Sequence, residues 1–304
     1  MVQIYGEISL HPSSVVKLDG SLFSIADHER DFFHKTISED DNEVKARVLE
    51  IQQDFSQQHE YPCIYAFHFV TLYMDTNPIY SEVLAAGKSG NTLFLDLGCC
   101  MGTDVRKLVY DGYPASNVVG CDLRSEFIDF GHILYRDKGS CSIHFFAYDI
   151  FDVPYPVPTD VIPAADIPIS ALTTLSQLYG SVTHFYTGAL FHLFDEPTQY
   201  ALALRIATLL KRAPGAVIFG RHQGLQEPGL LDDYRVAGEK QRFGHSPSSW
   251  SEMWRHVFAE VESPEFADFK VTVQAELIQG WDRNRILGMN GRTDGMLFWS
   301  VKIV

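Results

Sequence analysis

The chain has 304 residues, 46% of them hydrophobic and 13% aromatic, enough for one large core with or without a small cap. Its 39 Asp and Glu outweigh 24 Lys and Arg, for a net charge of −15. Such a field repels nucleic acid and anionic membrane surfaces and serves solubility instead, leaving a neutral or apolar small molecule unaffected.

Residues 1–90 read mainly as a helical cap. Asp27 caps a segment through Phe33, and Asp40-Asp41 opens a longer one through Gln57, with Val44, Val48, Ile51 and Phe55 at helical spacing. A turn at Tyr61-Pro62-Cys63 and an aromatic run from Tyr65 to Tyr73 follow, and Asn77-Pro78 starts a helix that Gly87 is expected to end. Over residues 91–304 strands alternate with helices. Strands are expected at Thr92–Leu95, Val118–Cys121, Ile143–Tyr148, Val182–Tyr186 and Ala216–Phe219. Helices are expected at Thr103–Tyr110, Glu126–Tyr135, Ser170–Leu178 and Pro197–Lys211, with a proline-rich connection from Val153 to Pro168. Repeated units of this length give a parallel sheet covered on both faces. Phe269–Leu277 and Met296–Lys302 read as two further strands without a helix between them, which should therefore pair antiparallel. The expected fold class is α/β, a Rossmann-like, mostly parallel seven-stranded sheet ending in an antiparallel hairpin, with a helical N-terminal cap.

The turn after the first strand reads Asp96-Leu97-Gly98-Cys99-Cys100-Met101-Gly102. Its glycine spacing fits neither the GxGxxG dinucleotide loop nor a phosphate-binding loop, and an acid at the strand end repels pyrophosphate. A ligand with a positive end suits it, and the sulfonium and ammonium of S-adenosylmethionine meet that description. Asp122 closes the second strand, where an acid about 20 residues on binds ribose hydroxyls. Asp149 closes the third, beside Ile150 and Phe151, where a carboxylate accepts from an adenine amino group between apolar neighbours. Singly each is a turn or capping Asp; three at consecutive strand ends point to one crevice.

Five cysteines, Cys63, Cys99, Cys100, Cys121 and Cys141, are odd in number and include an adjacent pair, which fits no disulfide framework. No Cys/His metal spacing occurs, so no metal is expected. Reduced thiols, with no basic-then-apolar leader and no bilayer-length apolar run, lead to a cytoplasmic expectation.

The run Phe94-Leu-Asp-Leu-Gly-Cys-Cys-Met-Gly-Thr-Asp104, continued by Arg106-Lys-Leu-Val-Tyr-Asp-Gly112, carries a resemblance. So do Tyr61-Pro-Cys-Ile64, Gly120-Cys-Asp-Leu123, Glu126-Phe-Ile-Asp129, Asp149-Ile-Phe-Asp152, Phe191-His-Leu-Phe194, Gly220-Arg221 and His245 with Trp250 and Met253-Trp254. At these residues the chain resembles the fungal secondary-metabolite methyltransferases of austinol-type meroterpenoid pathways. The resemblance implies a class I methyltransferase fold, S-adenosylmethionine as donor and contacts to it from Asp122-Leu123 and Asp149-Ile150. It further implies an oxygen acceptor on a terpenoid, meroterpenoid or polyketide, and a homodimer. The chain departs from the family pattern at Tyr186-Thr187-Gly188, where a His-Ala-Ser-like stretch is usual, and at His222, usually Gln.

Together these readings assign cofactor binding to Asp96, Gly98, Cys100, Gly102, Asp122, Leu123, Asp149, Ile150 and Phe151. A carboxylate acceptor is already ionised, whereas a phenol or alcohol needs a base, for which His192, His222 and His245 are the candidates. The catalytic set is His192, His245 and Arg221, the last as a bidentate clamp for an acceptor carboxylate or as the partner of a structural acid. Tyr186, His222, Trp250 and Trp254 are expected to bind substrate, with Trp281 as a further wall, although Trp250 and Trp254 at helical spacing also suit ordinary core. The Tyr61–Phe69 segment either closes over the cofactor or anchors the N-terminal helices. The alternative to methyl transfer is a same-fold isomerase or pericyclase that binds S-adenosylmethionine without transferring the methyl. A NAD-dependent oxidoreductase is disfavoured by the glycine spacing and the terminal hairpin.

Overall fold

The computed structural model describes residues 18–57, 62–158, 167–231, 241–279 and 294–304. Its strands are β1 (Phe94–Leu97), β2 (Val118–Asp122), β3 (His144–Ala147), β4 (His184–Gly188), β5 (Val217–Gly224), β6 (Gly229–Leu230), β7 (Phe243–Gly244), β8 (Val271–Ile278) and β9 (Gly295–Ile303). The helices are α1 (Asp27–Thr36), α2 (Asp41–Ser56), α3 (Pro62–Tyr65), α4 (Tyr80–Ser89), α5 (Thr103–Tyr110), α6 (Ser125–Tyr135), α7 (Glu196–Leu209), α8 (Pro247–Val261) and α9 (Pro264–Lys270).

Seven strands make one sheet in the order β3-β2-β1-β4-β5-β9-β8, and β6 and β7 form a short separate ribbon. The first five strands are parallel, and β9 lies between β5 and β8, antiparallel to both. This is the class I methyltransferase arrangement, and the antiparallel pairing of the last two strands was legible because the sequence between them carries no helical pattern. A dinucleotide-binding sheet has no such reversed strand inserted next to its edge, so the oxidoreductase reading falls here.

Every residue of β1, β2 and β5 is buried, because helices cover both faces. On one face Leu95, Phe185 and Ile218 pack with Leu202 and Ile206 of α7 and Trp250, Trp254 and Phe258 of α8. On the other, Phe94, Val118 and Phe219 pack with Tyr80 and Val83 of α4 and Val105 and Leu108 of α5. A third cluster joins Phe32, Phe33, Val44, Val48, Phe55 and Phe67 to Met101, Phe127, Leu134 and Tyr135. The N-terminal helices thus pack on α6 and on the turn that follows β1. No helix among the described residues is long and apolar enough to cross a membrane.

Several elements differ from the sequence reading: the helix expected over Ser170–Leu178 is two 3-10 turns, Ile169–Ala171 and Leu175–Leu178, and the fourth strand is shifted to His184–Gly188. Gly87 lies inside α4, where the ring of Tyr113 occupies the space a Cβ would take, and the helix stops at Gly90 with φ 88°. β5 continues to Gly224 because β9 pairs along its whole length. Phe269 belongs to α9, whose N-cap Ser263 accepts the N–H of Phe266, and not to β8.

Candidate functional site

Strand alternation places the first two acids on one face of the sheet. Asp96 pairs in register with Gly120 and with Tyr186, and Tyr186 with Phe219. Side chains two residues apart share a face, so Asp96, Asp122, Tyr186 and Arg221 all project to the α4/α5 side, at the carboxyl ends of their strands. His222, one residue on, projects to the α8 side. Asp149 lies just past β3, where its carboxylate accepts the N–H of Phe151 at 2.9 Å. Burial pushes the Cys121 thiol well up, and Asp122, Asp96 and Asp149 push it further, so all three carboxylates act on one side chain.

The turn between β1 and α5 is built to present backbone. Gly98 and Cys99 donate to the carbonyl of Cys121 at 2.8 and 3.1 Å, and Gly102 donates to that of Cys99 at 2.7 Å. Gly98 has φ 81°, and a Cβ there would meet nothing nearer than Leu190 at 3.9 Å, so the left-handed backbone faces open space. Cys100 is also left-handed, with φ 51°, as are Phe67 and Ala189. These three non-glycine outliers sit in the turn, in the aromatic segment beside it and after β4, and strain of this kind gathers at binding sites.

Asp122 is tied to that turn: Oδ2 accepts the N–H of Cys100 at 2.8 Å and Oδ1 that of Arg124 at 3.1 Å. A carboxylate has about four lone-pair sites, so each oxygen retains capacity for a ribose hydroxyl. Leu123 beside it is 43% exposed, an apolar side chain available to a ligand ring. Ile150 is buried in the main core, and the ring of Phe151 is engaged by Phe194 and by the guanidinium of Arg205.

Electrostatically the pocket is negative. Burial pushes the Asp96 carboxyl well above its usual range, and Asp104 and Asp122 push it further. Burial likewise raises Asp104, to about 6, against the two N–H groups it accepts. Asp122 is raised by burial and lowered by its backbone donors. Three buried acids, two of which oppose the charge of Asp96, suit a ligand carrying positive charge. Buried acids beside an open, left-handed turn fit a group with a positive end, which S-adenosylmethionine has.

Arg221 opposes the charge shift on Asp104, and sequence reasoning missed what surrounds it. Its guanidinium carbon lies 3.3 Å from the ring centroid of Tyr73. Arg221 is 5% exposed, makes no ion pair among the described residues, and its Nε has no hydrogen-bond partner there. Tyr186 Oη is buried within hydrogen-bonding reach of the Arg221 guanidinium. Burial raises this phenol far above its usual range, and Arg221 is close enough to oppose the shift. The ring of Tyr73 is held from behind, because Asp104 Oδ1 accepts the N–H of Tyr73 at 2.9 Å and of Met74 at 3.0 Å. Asp104 stood within the family-like run, but an acid in a first helical turn looks like an ordinary dipole partner.

The remaining candidates are divided by the sheet. His222, Trp250 and Trp254 lie on the far face from Arg221, in an aromatic cluster with Phe191 and Trp299, and both tryptophans are fully buried. Trp299 Nε1 donates to His222 Nδ1 at 3.0 Å, and burial lowers the His222 pKa far below its usual value. His245 contacts Trp250, shares a hydrogen bond with Ser249 at 2.9 Å, and is lowered by burial to about 4. Both rings are neutral at physiological pH. His192, in the turn after β4, accepts the N–H of Gln223 at Nδ1 over 3.4 Å, which leaves the proton of a neutral ring on Nε2. Trp281 and Tyr61 lie outside the described residues.

No family model matches the chain. It is 30% identical to the Asnovolin E/Chermesin D methyltransferase nvfJ of Aspergillus novofumigatus over 256 residues, covering 84% of this chain and 85% of that one. Methyltransferase adrK of Penicillium roqueforti is 31% identical over 231 residues, 74% of this chain and 76% of its own length. O-methyltransferase phiE of a Fungal sp. is 34% identical over 202 residues, 66% of this chain but only 61% of phiE. Among solved structures, a Burkholderia thailandensis 1,6-didemethyltoxoflavin-N1-methyltransferase aligns over 84% of this chain and 88% of its own, at 14% identity and a TM-score of 0.47. Sequence likeness over most of nvfJ and adrK, on a sheet whose next-to-edge strand is reversed, means that the chain belongs to the fungal secondary-metabolite methyltransferases, class I enzymes that use S-adenosylmethionine.

Proposed function

We propose that this chain is an O-methyltransferase that esterifies a carboxyl oxygen of a small hydrophobic metabolite of the terpenoid, meroterpenoid or polyketide kind. One observation carries the choice of oxygen: among the described residues the buried guanidinium of Arg221 makes no ion-pair contact with a carboxylate, and it lies in the second half of β5 on the same face as Asp96. A buried guanidinium with an unpartnered N–H is costly, and an acceptor carboxylate would complete it with charge-assisted, bidentate hydrogen bonds.

Bound S-adenosylmethionine supplies a methyl carbon activated by its sulfonium. The chain's own residues then have three tasks. Asp96 and its neighbouring acids orient the positive end; Asp122, Leu123, Asp149 and the turn through Gly98, Cys100 and Gly102 hold the nucleoside; Arg221 holds the acceptor in line. Residues 1–90 act as the cap that excludes water and residues 91–304 as the catalytic domain, although α4 packs on the sheet and belongs with the latter. A carboxylate acceptor needs no base, which agrees with two neutral histidines on the far face and a third whose Nδ1 is occupied.

A hydroxyl acceptor is the second reading, and it would assign His192 as base. The non-transferring isomerase finds no support among relatives that are all named methyltransferases. A homodimer and a cytosolic location complete the proposal, the first resting on the family resemblance and the second on the reduced thiols.

The test is kinetic. Arg221→Ala should raise the KM for a carboxylic acid acceptor by about tenfold to a hundredfold, the worth of one charge-assisted contact, while donor affinity holds. An unchanged KM removes Arg221 from the acceptor site and favours the hydroxyl reading.

A further inference from the structure

Tyr73 ends the aromatic run that begins at Tyr65, and its ring is the surface on which Arg221 rests. A guanidinium on an aromatic face loses rotational freedom and keeps its N–H edges available for a planar oxyanion. The ring is fixed through its backbone from two sides. Asp104, in the first turn of α5, accepts the N–H groups of Tyr73 and Met74 through a single oxygen, Oδ1. Asn77, itself buried, donates from Nδ2 to the carbonyl of Gly220 at 3.0 Å and to that of Trp299 at 3.4 Å. Gly220 immediately precedes Arg221, so the segment that carries the ring is fastened to the strand that carries the guanidinium.

We infer that Tyr73 and Asp104 are positioning residues for the acceptor. Asp104 pins the chain at Tyr73, the Tyr73 ring aims Arg221, and Arg221 meets the carboxylate. The inference rests on the reading of Arg221 given under Proposed function. It makes acceptor selection depend on the cap, since the ring belongs to the N-terminal segment and the guanidinium to the sheet.

The experiment is steady-state kinetics with a carboxylic acid acceptor at saturating donor. Tyr73→Leu should raise the acceptor KM about fivefold to thirtyfold, the worth of a cation–π contact from its exposed to its desolvated limit, with kcat changed less than threefold. Asp104→Ala should do the same. Because both act through one ring, the double variant should be no worse than the poorer single, whereas two independent structural defects would multiply. Tyr73→Phe keeps the face and Asp104→Asn keeps the accepting oxygen, so each should recover most of the loss. If Asp104→Ala does not fold, the comparison of Tyr73→Leu with Tyr73→Phe decides. An unchanged KM in Tyr73→Leu, alongside a raised KM in Arg221→Ala, overturns the inference and leaves the carboxylate reading intact. An unchanged KM in Arg221→Ala overturns both.

Discussion

Asp122 Oδ2 accepts the amide N–H of Cys100 at 2.8 Å, so the acid that closes β2 also sets the shape of the turn that closes β1. Two parts of the proposed nucleoside site are thereby one mechanical unit. Asp122→Ala removes both the ribose partner and the acceptor of two backbone N–H groups. Affinity for S-adenosylmethionine should fall by about tenfold to a hundredfold by calorimetry, with about 1–3 kcal/mol lost from unliganded stability. Unchanged affinity would remove Asp122 from the nucleoside site.

The same turn depends on a close approach from α6. A Cβ on Gly131 would lie 2.2 Å from the carbonyl oxygen of Met101. Gly131→Ala must push helix and turn apart, at about 1–3 kcal/mol, and should lower both Tm and donor affinity. Gly139→Ala, where a Cβ would meet nothing within 4 Å, is the control and should change neither. Equal behaviour of the two variants would show that the turn tolerates displacement.

Asp104 gives the site a pH dependence with a definite sign. Burial lifts its pKa in the fold to about 6, above the ordinary 3.8. Unliganded stability from this group is therefore full below about pH 4 and lost as pH rises towards about 6. Binding of a cation follows the opposite course, because ionised acids attract it. S-adenosylhomocysteine lacks the sulfonium charge, so the preference for S-adenosylmethionine over it should grow severalfold between about pH 5 and about pH 7.5. A preference that stays constant over this range would mean that the acids do not face the sulfonium.

A carboxylate acceptor also fixes the rate profile. With no proton to remove, kcat should be level between about pH 6.5 and about pH 8.5, since burial keeps His222 and His245 neutral throughout. A limb rising with a pKa near the ordinary histidine value would instead indicate a base and favour the hydroxyl acceptor.

Much of the fold was legible in the sequence because the signals are local. The first strand was read from the apolar run Thr92–Leu95, two residues ahead of the observed Phe94–Leu97, and the helix over Thr103–Tyr110 was read at its observed limits. β5 was read too short because its last residues, Arg221 through Gly224, are polar or glycine and become strand only through pairing with β9. Helix α9 did carry a local signal, Ser263-Pro264-Glu265, which the apolar Phe269 and its successors masked. The acids of the site were legible as strand-end residues, one after another. The contact of Tyr73 with Arg221 was not, since it joins residues far apart in the chain through a bend fixed by Asp104 and Asn77.

The central claim is methyl transfer to a carboxyl oxygen. The most direct measurement incubates the enzyme with methyl-labelled S-adenosylmethionine and matched hydrophobic acids, alcohols and phenols, followed by mass spectrometry and mild saponification. The expected result is label in a methyl ester that base releases, with one S-adenosylhomocysteine formed per ester. Label in a base-stable ether or on carbon, or substrate turnover without S-adenosylhomocysteine, would contradict it.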